Sequence, residues 1–256
     1  ATLIFSSGIG WGLPHNETWQ SDSLAPYHPL IGLSQLFSFG YYHKYPLVHQ
    51  LILALLDIPV VVVVFCDSFT EIGFSIHRFL EHMQSPRVAT ALILIGRSVS
   101  VLMAVMTIYL VYLSTREVLD ERVARITALL LCFNIALNQY AHVAKVDVPY
   151  GFWAAASLYQ LIRAKKTGRL RPHLLTALFA CLCFGTKDQG YAIFVLPFLV
   201  YLLLPSPASL RSRAELWSHF RDRNLLGFAA AFVVSTLLVQ NVFLNTSGLV
   251  TRFHHL

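Results

Sequence analysis

The stretch PLVHQLILALLDIPVVVVVFC, residues 46–66, decides how the rest of the chain is folded. Its length matches a helix crossing a bilayer core, which takes about 20 apolar residues. Yet Asp57 and Pro59 lie in its middle, where a lipid-facing carboxylate is costly and a proline removes a helix hydrogen bond. If the stretch crosses, the polar residues before it and the polar links after it fall in different compartments. If it lies at the surface, or dips in and returns, they share one side. The second reading is favoured, because the loop before it holds a single Lys or Arg, Lys44.

Outward from that stretch, the composition is that of a membrane chain. Of 256 residues 56% are hydrophobic and only 12% charged, with a mean hydropathy of +0.60, which excludes an ordinary soluble domain. The fold class expected is all-α, a polytopic transmembrane helical protein. The chain opens without an initiating Met and stops at Leu256 without a terminal signal, so it is expected to be a piece of a longer protein. Cys66, Cys132, Cys181 and Cys183 lie in or beside apolar runs and lack the spacing of a zinc knuckle; packing is their expected role. The net charge of +6 sits in short loops between apolar runs. That pattern is a topology signal rather than a nucleic-acid surface.

Taken in order, 1–10 reads as the end of a first span and 11–88 as an outer loop with interfacial helices. One of these is expected near 30–39, and another over 71–83, where Ile72, Ile76, Phe79, Leu80 and Met83 fall on one face. Residues 89–244 hold six spans, and 245–256 begin a further outer loop. The whole is one membrane domain. The loops 114–125, 163–173 and 205–224 carry 3, 5 and 4 of the 19 Lys and Arg residues, and pairs of spans separate them. By the positive-inside rule they share the cytosolic side, which leaves 141–147, 185–190 and the loop after Asn245 facing outward.

The polar residues on that outer side are the site candidates. Glu17, Asp22 and Lys44 lie in the first loop, His142, Lys145 and Asp147 in the second link, Lys187 in the third, and Arg252 and His254 in the last. Each has a plain structural alternative. Asp22 suits the cap of a helix starting near Leu24, Asp147 the cap of the helix opened by Val148-Pro149, and Lys187 an ion pair with Asp188. Arg97, inside a span, is expected to pair with a carboxylate such as Asp57 or Glu71. Asn16-Glu17-Thr18 and Asn245-Thr246-Ser247 are glycosylation sequons on the outer side. No metal-ligand spacing, Asp-x-Asp pair or glycine-rich phosphate loop is present, so no cofactor is expected and metal dependence stays open.

WGLPHNETWQSDSLAP, YYHKYPLVHQLILALL, LIGRSVSVLMAV, QYAHVAKVDVPYGFW and CFGTKDQGYAIFVLP, in this order and spacing, resemble the polyprenyl-phosphate-dependent glycosyltransferases of the GT-C membrane fold. That superfamily includes the protein O-mannosyltransferases and the lipid A aminoarabinose transferases. The resemblance covers essentially the whole chain as a GT-C seven-span module with an outer first loop. It departs at one point, since the family's first-loop motif is commonly Asp-Glu and here Ser23 follows Asp22.

The resemblance implies a polyprenyl-phosphate-linked sugar donor, with the bilayer as the other partner and no nucleic acid. A sugar leaves a lipid phosphate, so fixed positive charge on that phosphate is what helps; Lys44 and Lys187 are the expected cations. The acceptor hydroxyl must lose its proton as it attacks, and Asp22 is the expected base. Glu17, Asp147, His142, Arg252 and His254 are the remaining site candidates. The reaction would invert the anomeric centre on the outer or luminal face of a bacterial plasma membrane or an ER membrane. A secondary transporter and a non-catalytic membrane subunit remain as alternatives. The transporter would require inverted halves with broken helices at the midplane, and no internal symmetry of that kind is visible.

Overall fold

The computed structural model describes residues 1–13, 26–35, 46–71, 73–203 and 222–254. Helices α1 (Thr2–Ser6) and α2 (His28–Gln35) precede α3 (Val48–Asp67). A small antiparallel hairpin of β1 (Phe69–Thr70) and β2 (Gly73–Phe74) leads into α4 (Ile76–Met83). The long helix α5 (Pro86–Val118) is followed by α6 (Glu121–Cys132), α7 (Ile135–Ala141), α8 (Asp147–Thr167) and α9 (Leu170–Phe184). After these come α10 (Gly190–Leu203), α11 (Arg223–Val239) and α12 (Thr246–His254).

The deciding stretch forms one continuous helix, α3, with Pro59 inside it and no reversal. Of the two forms that the one-sided reading allowed, a dip and return is thereby ruled out, and a helix lying at the surface is not. What makes the helix tolerable is its orientation. Val48, His49, Gln50, Leu53, Ala54 and Asp57 are buried, while Leu55, Leu56, Ile58, Val62, Val63 and Phe65 are exposed. α3 therefore turns its polar stripe inward and its apolar side outward. Asp57, only 2% exposed, escapes the lipid contact that made the stretch improbable as a span.

α5 begins cleanly because Ser85 accepts the Val88 N–H and Pro86 needs no donor there. Its 33 residues reach about 50 Å. The expected short span over 126–140 is instead two helices, α6 and α7, bent by 57°. Asn134 causes the break, because its carboxamide caps α7 by accepting the Leu137 N–H at 2.8 Å. By length and composition α3 and α5 each suffice to cross a membrane, and the bent pair would make a third span; α9, α10 and α11 are apolar but shorter. The chain is a mostly helical membrane protein, with two to three candidate spans among the described residues.

The helices pack as a bundle with two distinct ends. At one end Lys166 Nζ donates to the Glu117 carboxylate at 2.9 Å, joining α8 to α5. Asn224 Nδ2 donates to the Gly168 carbonyl at 2.9 Å, adding α11. This end holds the basic loops 114–125 and 163–173, two of those that the charge pattern assigned to one side, together with the start of α11. Cys181, from α9, bridges to α11 through Thr236 and the Phe232 carbonyl, a packing role as expected. Phe184, Phe194, Phe198, Phe228 and Phe232 form a cluster of mostly edge-on rings between α9, α10 and α11.

The opposite end carries the links between α7 and α8 and between α9 and α10. There the Val48 N–H donates to the Gly185 carbonyl at 2.9 Å, so α3 starts where α9 stops. α3 then runs away from the basic end, because its second half lies beside Ser85–Ala91 at the start of α5. α4 has no buried residue, and its apolar face, with Ile76 and Leu80, is exposed. It is the amphipathic helix expected within 71–83, shortened by the hairpin that occupies 69–74.

Candidate functional site

At the second end two elements of opposite polarity meet. Asp147 is the first residue of α8, and Lys187 leaves the last turn of α9 with its N–H on the Cys183 carbonyl. Each charge matches the partial charge of its own helix end, a carboxylate at an N-terminus and an ammonium near a C-terminus. The Lys187 ammonium donates to Asp147 Oδ1 at 2.6 Å, and the two side chains keep 22% and 33% of their surface exposed. Tyr150, one turn along α8, places its ring 5.9 Å from the same ammonium.

This geometry replaces the plain readings of both residues. Val146, not Asp147, holds the cap position of α8, and no side chain caps that helix. The Asp147 carboxylate serves Lys187 instead. Lys187 has a partner from a different helix, beyond the neighbouring Asp188 that sequence proximity offered.

The supports of the pair are close-packed. Gly185 carries no side chain because a Cβ there would overlap Val239 Cγ1 and Val48 Cγ2. The same contact draws the end of α11 to the start of α3. In the link before Asp147, Ala144 adopts the left-handed conformation at φ 51°. It packs where a Cβ on Gly96 of α5 would lie 3.2 Å from its own Cβ. A small residue at 96 therefore lets the link sit down on α5.

The remaining candidates take different places. His142 Nε2 lies 2.7 Å from the Phe5 carbonyl, which ties α1 to the α7–α8 link rather than to the pair. Lys145 is buried with its ammonium 5.5 Å from the Tyr140 ring. His254 is exposed at the end of α12. Glu17, Asp22 and Lys44 lie outside the described residues, as does the side chain of Arg252. Asn245 is buried and accepts the Gly248 N–H at 3.0 Å, so the second sequon is spent on opening α12.

Arg97 corrects another expectation. Its Nη1 donates to the carbonyls of Ile9 at 2.6 Å and Trp11 at 2.9 Å, not to a carboxylate. The first polar loop thus departs from a point pinned to α5. Its far end is Pro46, which is fully buried, two residues before the Val48–Gly185 contact. Sequence reasoning missed Tyr150, Gly185 and this clamp. Only Tyr150 left a signal, since its spacing of three from Asp147 places both on one helix face.

Among the described residues no group of His, Cys, Asp and Glu is arranged to hold a metal. What the site offers is a cation with donors to spare, since an ammonium carries three N–H groups and Asp147 engages one. A family model described as dolichyl-phosphate-mannose-protein mannosyltransferase matches residues 87–239, more than half of the chain. That region runs from α5 to α11 and includes Asp147 and Lys187. No curated protein and no solved structure gives a match.

Proposed function

This chain belongs to the dolichyl-phosphate-mannose-protein mannosyltransferase family, and on that premise we propose that it transfers a sugar from a polyprenyl-phosphate carrier to an acceptor hydroxyl. The observation that carries the reading is the Asp147–Lys187 pair, at the bundle end opposite the basic loops. In a partly buried ion pair such as this one, the cost of desolvating both charges offsets much of their attraction, so the pair adds little net stability. A cation held in place at so small a gain is better explained by what it binds.

Lys187 receives the donor phosphate. Asp147 and the Tyr150 ring fix the ammonium from one side and leave N–H groups for phosphate oxygens. Lys44 supplies the second positive charge. It lies four positions before Val48, a reach of at most about 14 Å, and Val48 is bonded to Gly185, two residues before Lys187. Asp22 is the base. The acceptor oxygen bonds to the anomeric carbon as the carbon–phosphate oxygen bond breaks, the acceptor proton passes to the Asp22 carboxylate, and the phosphate departs with the electron pair against the lysines. One displacement of this kind inverts the anomeric centre.

In this reading the pair's end faces the periplasm or lumen, where the positive-inside rule leaves it. α3 belongs to the outer headgroup region, because it starts at the Gly185 end and finishes beside the first turns of α5. α4, with its exposed apolar face, lies on the same surface.

The test is sugar transfer from a panel of polyprenyl-phosphate sugars in membranes carrying the full-length protein. Wild type is compared with Asp22→Asn and Lys187→Gln at equal expression. Loss of transfer by both variants, by about a hundredfold or more, supports the roles given. Transfer by Asp22→Asn at the wild-type rate would move the base to Glu17 or Asp147. No transfer by wild type from any donor would overturn the reading itself.

A further inference from the structure

A groove lies away from the pair, between the C-terminal half of α3 and the start of α5. It is open on one side and offers about 770 Å³, within the size range of ligand sites. Pro59, Val60, Val63 and Val64 of α3 form one wall, and Val88 and Ala91 of α5 form the other. Its polar lining is confined to Asp67, His82, Ser85 and Arg87. These come from the last residue of α3, the last turn of α4 and the residues that open α5.

From this arrangement we infer that the groove holds one phospholipid with a cationic headgroup amine, a phosphatidylethanolamine, its acyl chain between α3 and α5. Arg87 and His82 face the phosphate, and Asp67 faces the ammonium. Three observations carry this. The walls are apolar and open onto a helix side that exposes Val62, Val63 and Phe65, so the groove continues a lipid-facing surface. The rim carries both signs of charge, yet among the described residues no ion pair joins Asp67 to Arg87 or His82. A zwitterionic headgroup satisfies both signs at once, whereas an anionic one leaves Asp67 opposed by like charge. Beside the rim, Phe65, Phe69, Phe74 and Phe79 cluster with ring centroids 5.0–6.1 Å apart, and the first three remain well exposed. Aromatic rings of this kind settle at headgroup depth.

The inference rests on the membrane character of the chain and not on the transfer reaction, so the two fail separately. The lipid would brace α3, whose other end carries the Val48–Gly185 contact beneath the pair.

The experiment is native mass spectrometry of the full chain in detergent, titrated with dioleoyl phosphatidylethanolamine, phosphatidylcholine or phosphatidylglycerol. The variants are Arg87→Gln, Asp67→Asn and Ala91→Trp, the last filling the groove. The expected result is one tightly retained phosphatidylethanolamine on wild type. Its retention falls about tenfold in Arg87→Gln, the loss of one charge-assisted hydrogen bond. Retention is abolished in Ala91→Trp, and Asp67→Asn loses the preference for phosphatidylethanolamine over phosphatidylglycerol. Arg87 and Asp67 are exposed, so their variants fold even if Ala91→Trp does not, and thermal melting of each verifies this. Equal retention by wild type and Arg87→Gln, or a wild-type preference for phosphatidylglycerol, overturns the proposal.

Discussion

Lys187 and Asp147 stand forty positions apart in sequence and 2.6 Å apart in space, one ending α9 and the other beginning α8. The contact fixes the relative height of those two helix ends as much as it neutralises charge. Exchanging the charges, with Asp147→Lys and Lys187→Asp together, is expected to keep the contact but to melt somewhat below wild type, because each charge then opposes the partial charge of its own helix end. Each single change lowers the melting temperature further, since it sets two like charges against each other in a partly buried site. Transfer activity is expected to fail in Lys187→Asp and in the exchanged protein, because a carboxylate at 187 repels the donor phosphate, and to fall in Asp147→Lys, because Lys187 loses the carboxylate that holds it. Activity in the exchanged protein would show that the pair serves only to hold α8 against α9.

Gly185 and Gly151 make opposite forecasts from the same substitution. At Gly185 an added methyl meets Val239 and Val48 at once, and the Cys181 carbonyl lies 3.2 Å away. Gly185→Ala is therefore expected to cost about 1–3 kcal/mol and to reduce transfer by displacing Lys187. At Gly151, inside α8, nothing lies within 4 Å. Gly151→Ala is expected to be neutral or to stabilise by up to about 1 kcal/mol through helix propensity. Thermal melting of the two variants in the same detergent makes the comparison.

Arg97→Met removes a charged donor from the carbonyls of Ile9 and Trp11 while keeping much of the side chain's bulk. Hydrogen bonds from a charged donor are each worth about 1.5–3 kcal/mol. The expected outcome is a drop of at least about 2 kcal/mol in stability and faster amide exchange over residues 5–13, with α8 and α9 unchanged. Exchange that rises equally in all helices would mean that Arg97 supports the bundle at large rather than the root of the first loop.

The helices α5, α8, α9 and α11 were legible because each is an apolar run closed by charges, such as RAKKTG at the end of α8. Asp147 and Lys187 were legible one at a time, as the polar residues at the mouths of those runs. Their contact was not, because nothing in a single sequence couples two sites forty positions apart. α3 shows a different limit. Its mean hydropathy is that of a span, and only the positions of His49, Gln50, Leu53 and Asp57, three and four apart, reveal a polar stripe turned inward. The break at Asn134 was hidden in a similar way, since an asparagine that caps a new helix reads in sequence as one polar residue in an apolar run. Arg97 misled because a buried guanidinium suggests a carboxylate, whereas main-chain carbonyls satisfied it.

The contact between α2 and α4 supplies a pH test outside the spans. Tyr27 donates its hydroxyl to the Met83 carbonyl at 2.7 Å, and burial holds its phenol above the ordinary value of 10.0. In the unfolded chain the phenol ionises at its ordinary value; in the folded chain it keeps its proton to higher pH. The bond's contribution, about 1 kcal/mol, is thus fully present below pH 10 and lost as pH rises through the raised folded value. Tyr27→Phe never has it. The gap in melting temperature between wild type and Tyr27→Phe is therefore expected to stay constant from neutral pH to about 9 and to close as the pH rises through the raised folded value. Other tyrosines titrate in both proteins and cancel in the difference. A gap that persists undiminished at the alkaline end would mean that ring packing, not the hydroxyl, holds α2 to α4.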